Sequence, residues 1–126
     1  MRTYVIADDL TGAAEIAGVA HRLGCCVRLT TAVDALRAED EVVVLATDTR
    51  SMGRAEALAY TEEVVRQLAT RERPDRLFKK TDSVLRGHVV AELEALWPLG
   101  YRQAMLLPAN PSKERLILRR RYTIAG

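Results

Sequence analysis

Glu41-Val42-Val43-Val44-Leu45-Ala46 decides the fold of this chain. Four consecutive large apolar residues leave no polar face, so a strand built from them has to be covered on both sides. Strands of parallel sheets read this way, whereas a strand open to water on one face alternates. The sequence turns polar immediately afterwards, at Thr47-Asp48-Thr49-Arg50-Ser51. From Arg54 to Ala69 it spaces Leu58, Thr61, Val65 and Leu68 as a helix does.

The same alternation extends in both directions. Thr3 to Ala7 reads as a first strand. Leu10 to Leu23 carries Ala13, Ile16, Ala17 and Ala20 at helical spacing, with Asp9 as N-cap and Gly24 as stop. Cys26 to Thr30 reads as a second strand, and residues 33–37 as a short helix. Downstream, Arg76 to Lys80 is a strand whose only apolar members are Leu77 and Phe78. Gly87 to Trp97 is a helix presenting Val89, Val90, Leu93, Leu96 and Trp97. Ala104 to Leu107 is a further strand. Asn110 to Leu118 holds a short turn or helix, and Arg121 to Ile124 starts another strand. Arg71-Glu72-Arg73-Pro74-Asp75 is a solvated loop. Strands separated by helices imply an α/β fold: three layers, a mostly parallel sheet with helices on both faces, in one domain over residues 1–126.

Composition narrows the function classes. Hydrophobic residues at 48% and charged residues at 29% suit one globular core without staples. A net charge of +2 and only 5% aromatic residues give no basis for nucleic-acid binding. No apolar run reaches the roughly 18 residues of a membrane span, and no signal peptide precedes the first strand. The expectation is a cytoplasmic protein. Cys25 and Cys26 are adjacent, too close to bridge each other comfortably, and no Cys/His spacing suggests a metal. They read as two small half-buried residues of a strand.

Ligands in such sheets bind outside the carboxyl ends of the strands, and that is where the unexplained polar residues fall. Asp8-Asp9-Leu10-Thr11-Gly12-Ala13 follows the first strand. One aspartate serves as a helix cap, while the other accepts from a ligand hydroxyl or acts as a base, and Gly12 permits close approach to the backbone. Arg50 follows the third strand. Lys79-Lys80-Thr81-Asp82-Ser83-Val84-Leu85-Arg86-Gly87 follows the fourth and combines cations, a carboxylate, hydroxyls and a glycine. Pro108-Ala109-Asn110-Pro111-Ser112-Lys113 follows the last. Arg50 and Arg86 offer planar forks suited to a carboxylate or phosphate, with Lys80 nearby and helix N-termini adding partial positive charge. Asp82 with Ser83 reads hydroxyls, or Asp82 pairs with Lys80 or Arg86. His21 and His88 lack metal-ligand spacing, although His88 lies near the binding edge. The run Arg119-Arg120-Arg121 reads as solvated. Neither GxxxxGK[ST] nor GxGxxG occurs after a strand, so no nucleotide cradle is evident.

Taken together, Ile6 to Ala13, Thr47 to Arg50, Lys79 to Gly87 and Pro108 to Lys113, with Arg121-Tyr122, resemble the N-terminal domain of the four-carbon acid sugar kinase family. The resemblance spans nearly the whole chain in the expected order. It implies ATP-dependent, magnesium-assisted phosphorylation of a threonate, erythronate or 3-oxo-tetronate at its terminal hydroxyl. It also implies that this domain holds the sugar acid while a C-terminal domain, absent here, supplies most of the nucleotide site. The substrate carboxylate would sit against Arg86, Ser83 or Arg50, within a set that includes Lys80, Gly87 and Asn110. Asp8, Asp9 and Asp82 would face hydroxyls. The base would come from one of these aspartates or from the other domain. Implied partners are the sugar acid and either the missing C-terminal domain or a homo-oligomer, with neither nucleic acid nor membrane. The chain departs from the family at Glu114, where Gly is usual, and ends at Gly126, before a typical N-terminal domain is complete. The isolated chain is therefore expected to bind weakly and not to phosphorylate. A response-regulator receiver is the alternative, since Asp8, Asp9, Asp48, Thr81 and Lys113 follow its order of phospho-acceptor chemistry. Arg50 and Arg86 would crowd its metal with positive charge.

Overall fold

A computed structural model describes residues 2–33, 37–71, 74–101 and 103–124. Four strands, β1 (Thr3–Ala7), β2 (Val27–Thr30), β3 (Val42–Ala46) and β4 (Arg76–Lys80), form one parallel sheet in the order β2-β3-β1-β4. Helices α1 (Leu10–Arg22), α2 (Arg54–Ala69) and α3 (Val89–Ala95) cover it. The short helix expected over residues 33–37 falls mainly on residues 34–36, outside the described residues, as does the middle of the Arg71–Asp75 loop.

Strand alternation divides the core in two. Tyr4, Ile6, Val43 and Leu45 face Val64, Val65 and Leu68 of α2, together with Leu96 and Leu99 beyond α3. Val5, Ala7, Val44 and Ala46 face the other way, against Ala13, Ile16 and Ala17 of α1. The unbroken Val42 to Leu45 run is needed because both of its faces lie beneath helices. Burying such side chains contributes roughly 1.5–3 kcal/mol each before the entropy cost of ordering the chain.

The sheet register positions the site. Ala7 lies opposite Ala46 of β3 and Lys80 of β4, so three strands end level. Asp8, Thr47 and Thr81 therefore leave the sheet side by side. The Thr47 amide continues the ladder by donating to the Ala7 carbonyl at 2.9 Å.

Two expectations require correction. Residues 104–107 form no strand. The segment has no regular structure and lines a groove beside β4, with Met105 89% exposed. Beyond α3 the chain instead makes a 3-10 turn at Pro111–Lys113 and an antiparallel hairpin, β5 (Arg115–Leu118) and β6 (Arg121–Ile124). The face of α3 is also rotated from the expected one. Ala91, Glu92, Ala95 and Leu96 are buried, whereas Val90 and Trp97 are each 68% exposed. Both differences share a cause. β4 is the edge of the described sheet, so residues beyond it have no paired strand to pack against. Cys25 is half-buried, and Cys26 is exposed and lies just before β2 rather than in it.

Candidate functional site

The centre of the site is a clamp made by Arg50. Asp48 adopts a left-handed conformation (φ 54°) and turns the chain into a 3-10 turn, Thr49–Ser51, that carries Arg50 back over β1. The Arg50 amide donates to the Asp8 carbonyl at 3.1 Å. Its Nε and Nη2 donate to the two Asp8 carboxylate oxygens at 3.0 and 2.8 Å, and Nη2 also reaches Asp9 Oδ1 at 2.9 Å. The hydrogen bonds to Asp8 raise the Arg50 pKa further above its ordinary value, and the charges of Asp8, Asp9 and Asp82 add to this. Asp8 is 1% exposed, sealed beneath the guanidinium. Asp9 is the N-cap, its Oδ1 accepting from the Gly12 amide at 3.0 Å. The group that comes close to Gly12 is thus the Asp9 carboxylate, with Lys80 also near: a Cβ there would stand 2.6 Å from Asp9 Oδ1 and 3.6 Å from Lys80 Nζ.

The loop after β4 is held together by Asp82. Of the alternatives open in the sequence, its principal partner is Arg86, which donates from Nε and Nη2 at 2.9 and 2.8 Å. The amides of Val84 and Arg86 donate to the same carboxylate. The Arg86 guanidinium, helped by those amides, holds the Asp82 carboxyl well below the usual carboxylate range. The loop closes on Gly87 (φ +86°), where a Cβ would lie 3.2 Å from Asp8 Oδ2 and 3.6 Å from Arg50 Cγ. Arg50 Nη1 approaches Asp82 Oδ1 at 3.9 Å, joining loop and clamp. The cluster sets three carboxylates (Asp8, Asp9, Asp82) against two guanidiniums (Arg50, Arg86), with Lys80 at its edge, paired to Glu15. Of these three cations Arg86 is the most open, its side chain 66% exposed against 21% for Arg50 and 19% for Lys80.

The expected site residues therefore separate into two groups. Asp8, Asp9, Arg50, Asp82, Arg86 and Gly87 form the clamp and its loop. Lys80, Ser83 and Asn110 line a neighbouring groove of about 820 Å³, whose apolar lining includes Phe78, Val90, Trp97, Met105 and Leu106. Lys80 Nζ donates to the Thr81 carbonyl at 3.0 Å and stands 3.9 Å from Glu15. Ser83 Oγ accepts from Arg115, the first residue of β5. The Asn110 amide donates to the Arg115 carbonyl at 2.8 Å, and the Asn110 side chain accepts from Ser112. His88 Nε2 donates to the Met52 carbonyl at 2.9 Å. His21 sits in the exposed last turn of α1.

Sequence reasoning missed Arg115 and a buried pair, Lys79 with Glu92, at 3.1 Å. Glu92 gave a usable signal, being a charged residue one turn before Leu96 on a short helix. Among the described residues no group of three His, Cys, Asp or Glu side chains is arranged to hold a metal, and no helix is long and apolar enough to cross a membrane.

Comparison with known proteins agrees with this architecture. Residues 3–125 match a family model described as a sugar-binding N-terminal domain. A D-threonate kinase of Cupriavidus necator is 36% identical over 119 residues, covering 91% of this chain and 28% of that protein. A D-threonate kinase of Bordetella bronchiseptica is 33% identical over 97 residues, covering 72% of this chain and 24% of that protein. The chain thus spans about a quarter of the length of these curated relatives. A crystal structure of a domain of unknown function from Bordetella bronchiseptica, a domain-swapped dimer with bound citrate, superposes with a TM-score of 0.85 at 28% identity. The match covers 98% of this chain and 33% of that one.

Proposed function

We propose, from the premise that the chain belongs to the family of sugar-binding N-terminal domains, that it is the sugar-acid-binding part of an ATP-dependent kinase. The substrate class is a four-carbon acid sugar of the threonate type, phosphorylated at its terminal hydroxyl. The relatives named D-threonate kinase support the class. The observation that carries the reading is the level ending of β1, β3 and β4. It brings Asp9, Arg50 and Arg86 together at one sheet edge.

The residues divide the work by exposure. Arg86 takes the substrate carboxylate, because its side chain is the most exposed of the cluster's cations and its bonds to Asp82 run from Nε and Nη2, which leaves Nη1 to donate. Lys80 adds charge from the α1 side. Both bonds to Asp9 fall on Oδ1, which leaves Oδ2 to accept from a substrate hydroxyl. Asp8 holds Arg50 rather than touching substrate, since it lies sealed beneath the guanidinium. The citrate on the related structure is a polycarboxylate with a hydroxyl, in keeping with a site for hydroxy acids.

ATP and Mg²⁺ do not fit the side chains of this chain. Magnesium in phosphoryl-transfer sites takes several carboxylate oxygens, and here both Asp8 oxygens are held by Arg50 and both Asp82 oxygens by Arg86, which leaves only Asp9 Oδ2 from this cluster. The sequence offers no glycine loop to cradle phosphates. We place the nucleotide on sequence that the longer relatives possess beyond the matched region, and derive no step through it here. Family membership also displaces the receiver alternative, and Asp8 and Asp9, clamped by arginine, make a poor magnesium pair.

Calorimetric titration of the 126-residue chain with D-threonate tests the proposal. Binding that weakens on Arg86→Ala, without ADP release in the presence of ATP, is the expected result. Equal affinity in the wild-type and Arg86→Ala chains would contradict it.

A further inference from the structure

Beneath the clamp lies an ion pair with no part in the functional reading so far. Lys79 of β4 and Glu92 of α3 meet at 3.1 Å, with side chains only 5% and 2% exposed. Burying two charges is costly, and apolar replacements of such pairs are often neutral or stabilising. Stability alone is therefore a weak reason for this pair to be here.

Its connections supply a better one. The other Glu92 oxygen accepts from the Thr49 hydroxyl. Thr49 is fully buried and begins the 3-10 turn that carries Arg50. The Thr47 hydroxyl donates to the Ala7 carbonyl at 2.9 Å and packs 3.0 Å from the Thr49 hydroxyl. Two hydroxyl protons are thus assigned, one to Glu92 and one to Ala7. The turn is tied to α3 and β4 through Glu92, and to β1 through Thr47 and the Arg50 amide. Lys79 meets Glu92 at Oε2 and Thr49 meets it at Oε1, so the carboxylate is held at both oxygens.

We infer that the Lys79–Glu92 pair is a positioning device for Arg50: through Thr49 it fixes the turn that aims the guanidinium at Asp8 and Asp9. The inference deepens the sugar-acid reading and rests on it for its effect on binding. Lys79 and Glu92 are positioning residues and touch no substrate.

The test compares three forms of the full chain. Lys79→Met/Glu92→Leu replaces the pair with apolar groups, Thr49→Val removes only the hydroxyl contact, and Thr49→Ser restores it. Unfolding is followed by circular dichroism. Solvent exchange of the Arg50 Nε–H is followed by ¹H–¹⁵N NMR, its signal identified by loss in Arg50→Lys. The expected result is cooperative unfolding in the double variant and Thr49→Val, with Arg50 Nε–H exchange faster by about tenfold or more as the clamp opens more often. D-threonate affinity falls about tenfold with the misplaced clamp, and Thr49→Ser recovers both. Unchanged Arg50 exchange in the folded double variant, or in Thr49→Val if the double variant does not fold, overturns the inference. Loss of cooperative unfolding in both also overturns it, since the pair would then be a structural element. Failure of the wild-type chain to bind D-threonate would remove the functional reading, while the exchange measurement would still decide the positioning role.

Discussion

Replacing Gly12 with alanine should destabilise the protein, although the position lies inside a helix where alanine is normally preferred. The added Cβ would stand 2.6 Å from Asp9 Oδ1, so that carboxylate must move. The same oxygen caps α1 and accepts from Arg50. Loss of an aspartate N-cap costs about 1 kcal/mol. The bond to Arg50 joins side chains 21% and 22% exposed, so with solvent screening it contributes about 1 kcal/mol. Alanine returns about 1 kcal/mol of helix propensity. The net expectation is a loss of about 1 kcal/mol, or about 4 °C in the thermal midpoint for a domain of this size. Gly18 in the same helix is the control. A Cβ there meets only Arg22 Nη1, at 3.8 Å, so Gly18→Ala should stabilise by about 1 kcal/mol. Urea unfolding of both variants, followed by far-ultraviolet circular dichroism at neutral pH, separates them. If Gly12→Ala stabilises as much as Gly18→Ala, the Asp9 carboxylate is not fixed where the cap and clamp require it.

Other outcomes follow from the same geometry. Gly87→Ala places a Cβ at φ +86° and 3.2 Å from Asp8 Oδ2, so it should lower stability by about 1–2 kcal/mol and weaken D-threonate binding, both measurable on one preparation. Arg119 and Arg120 form the two-residue hairpin loop with φ of 48° and 66°; Arg119→Asn with Arg120→Gly should raise the thermal midpoint through a gain of about 1 kcal/mol. The acid limb of stability should depend on Asp82. Its folded pKa lies below the unfolded value of about 3.9, so its contribution is complete above about pH 4 and fades as pH falls through the folded value. Asp82→Asn should accordingly lose less stability than the wild type between about pH 4 and about pH 2, read from urea midpoints.

The sheet was legible because its strands announce themselves by composition. The Val42 to Leu45 run declared a doubly covered strand, Asp9 declared the start of α1, and Arg54 to Ala69 was read with its observed boundaries. The polar segments after β1, β3 and β4 were legible as one edge because they have no role in a core. Of the hairpin only the second strand, Arg121 to Ile124, was legible, since Arg-Arg carries no turn signal and only the backbone places both residues at positive φ. The expected strand at 104–107 rested on apolar composition alone, and a strand also needs a paired neighbour. Glu114 is informative: it adopts φ 53°, a region that favours glycine, the residue that the family resemblance led one to expect there. At the site, sequence placed the charges but not their pairing. Arg50 and Arg86 read as free anion receptors, yet each is held by aspartates whose proximity depends on strand register.

In the proposed function the clamp edge of the sheet receives the sugar acid. The most direct measurement is a titration of the ¹⁵N-labelled chain with D-threonate, following backbone amide shifts residue by residue. Saturable shifts concentrated at residues 8–12, 49–51 and 82–88, absent in Arg86→Ala at the same concentrations, are the expected result. Shifts confined to the groove residues 103–109, or none at concentrations that saturate a longer relative, would contradict it.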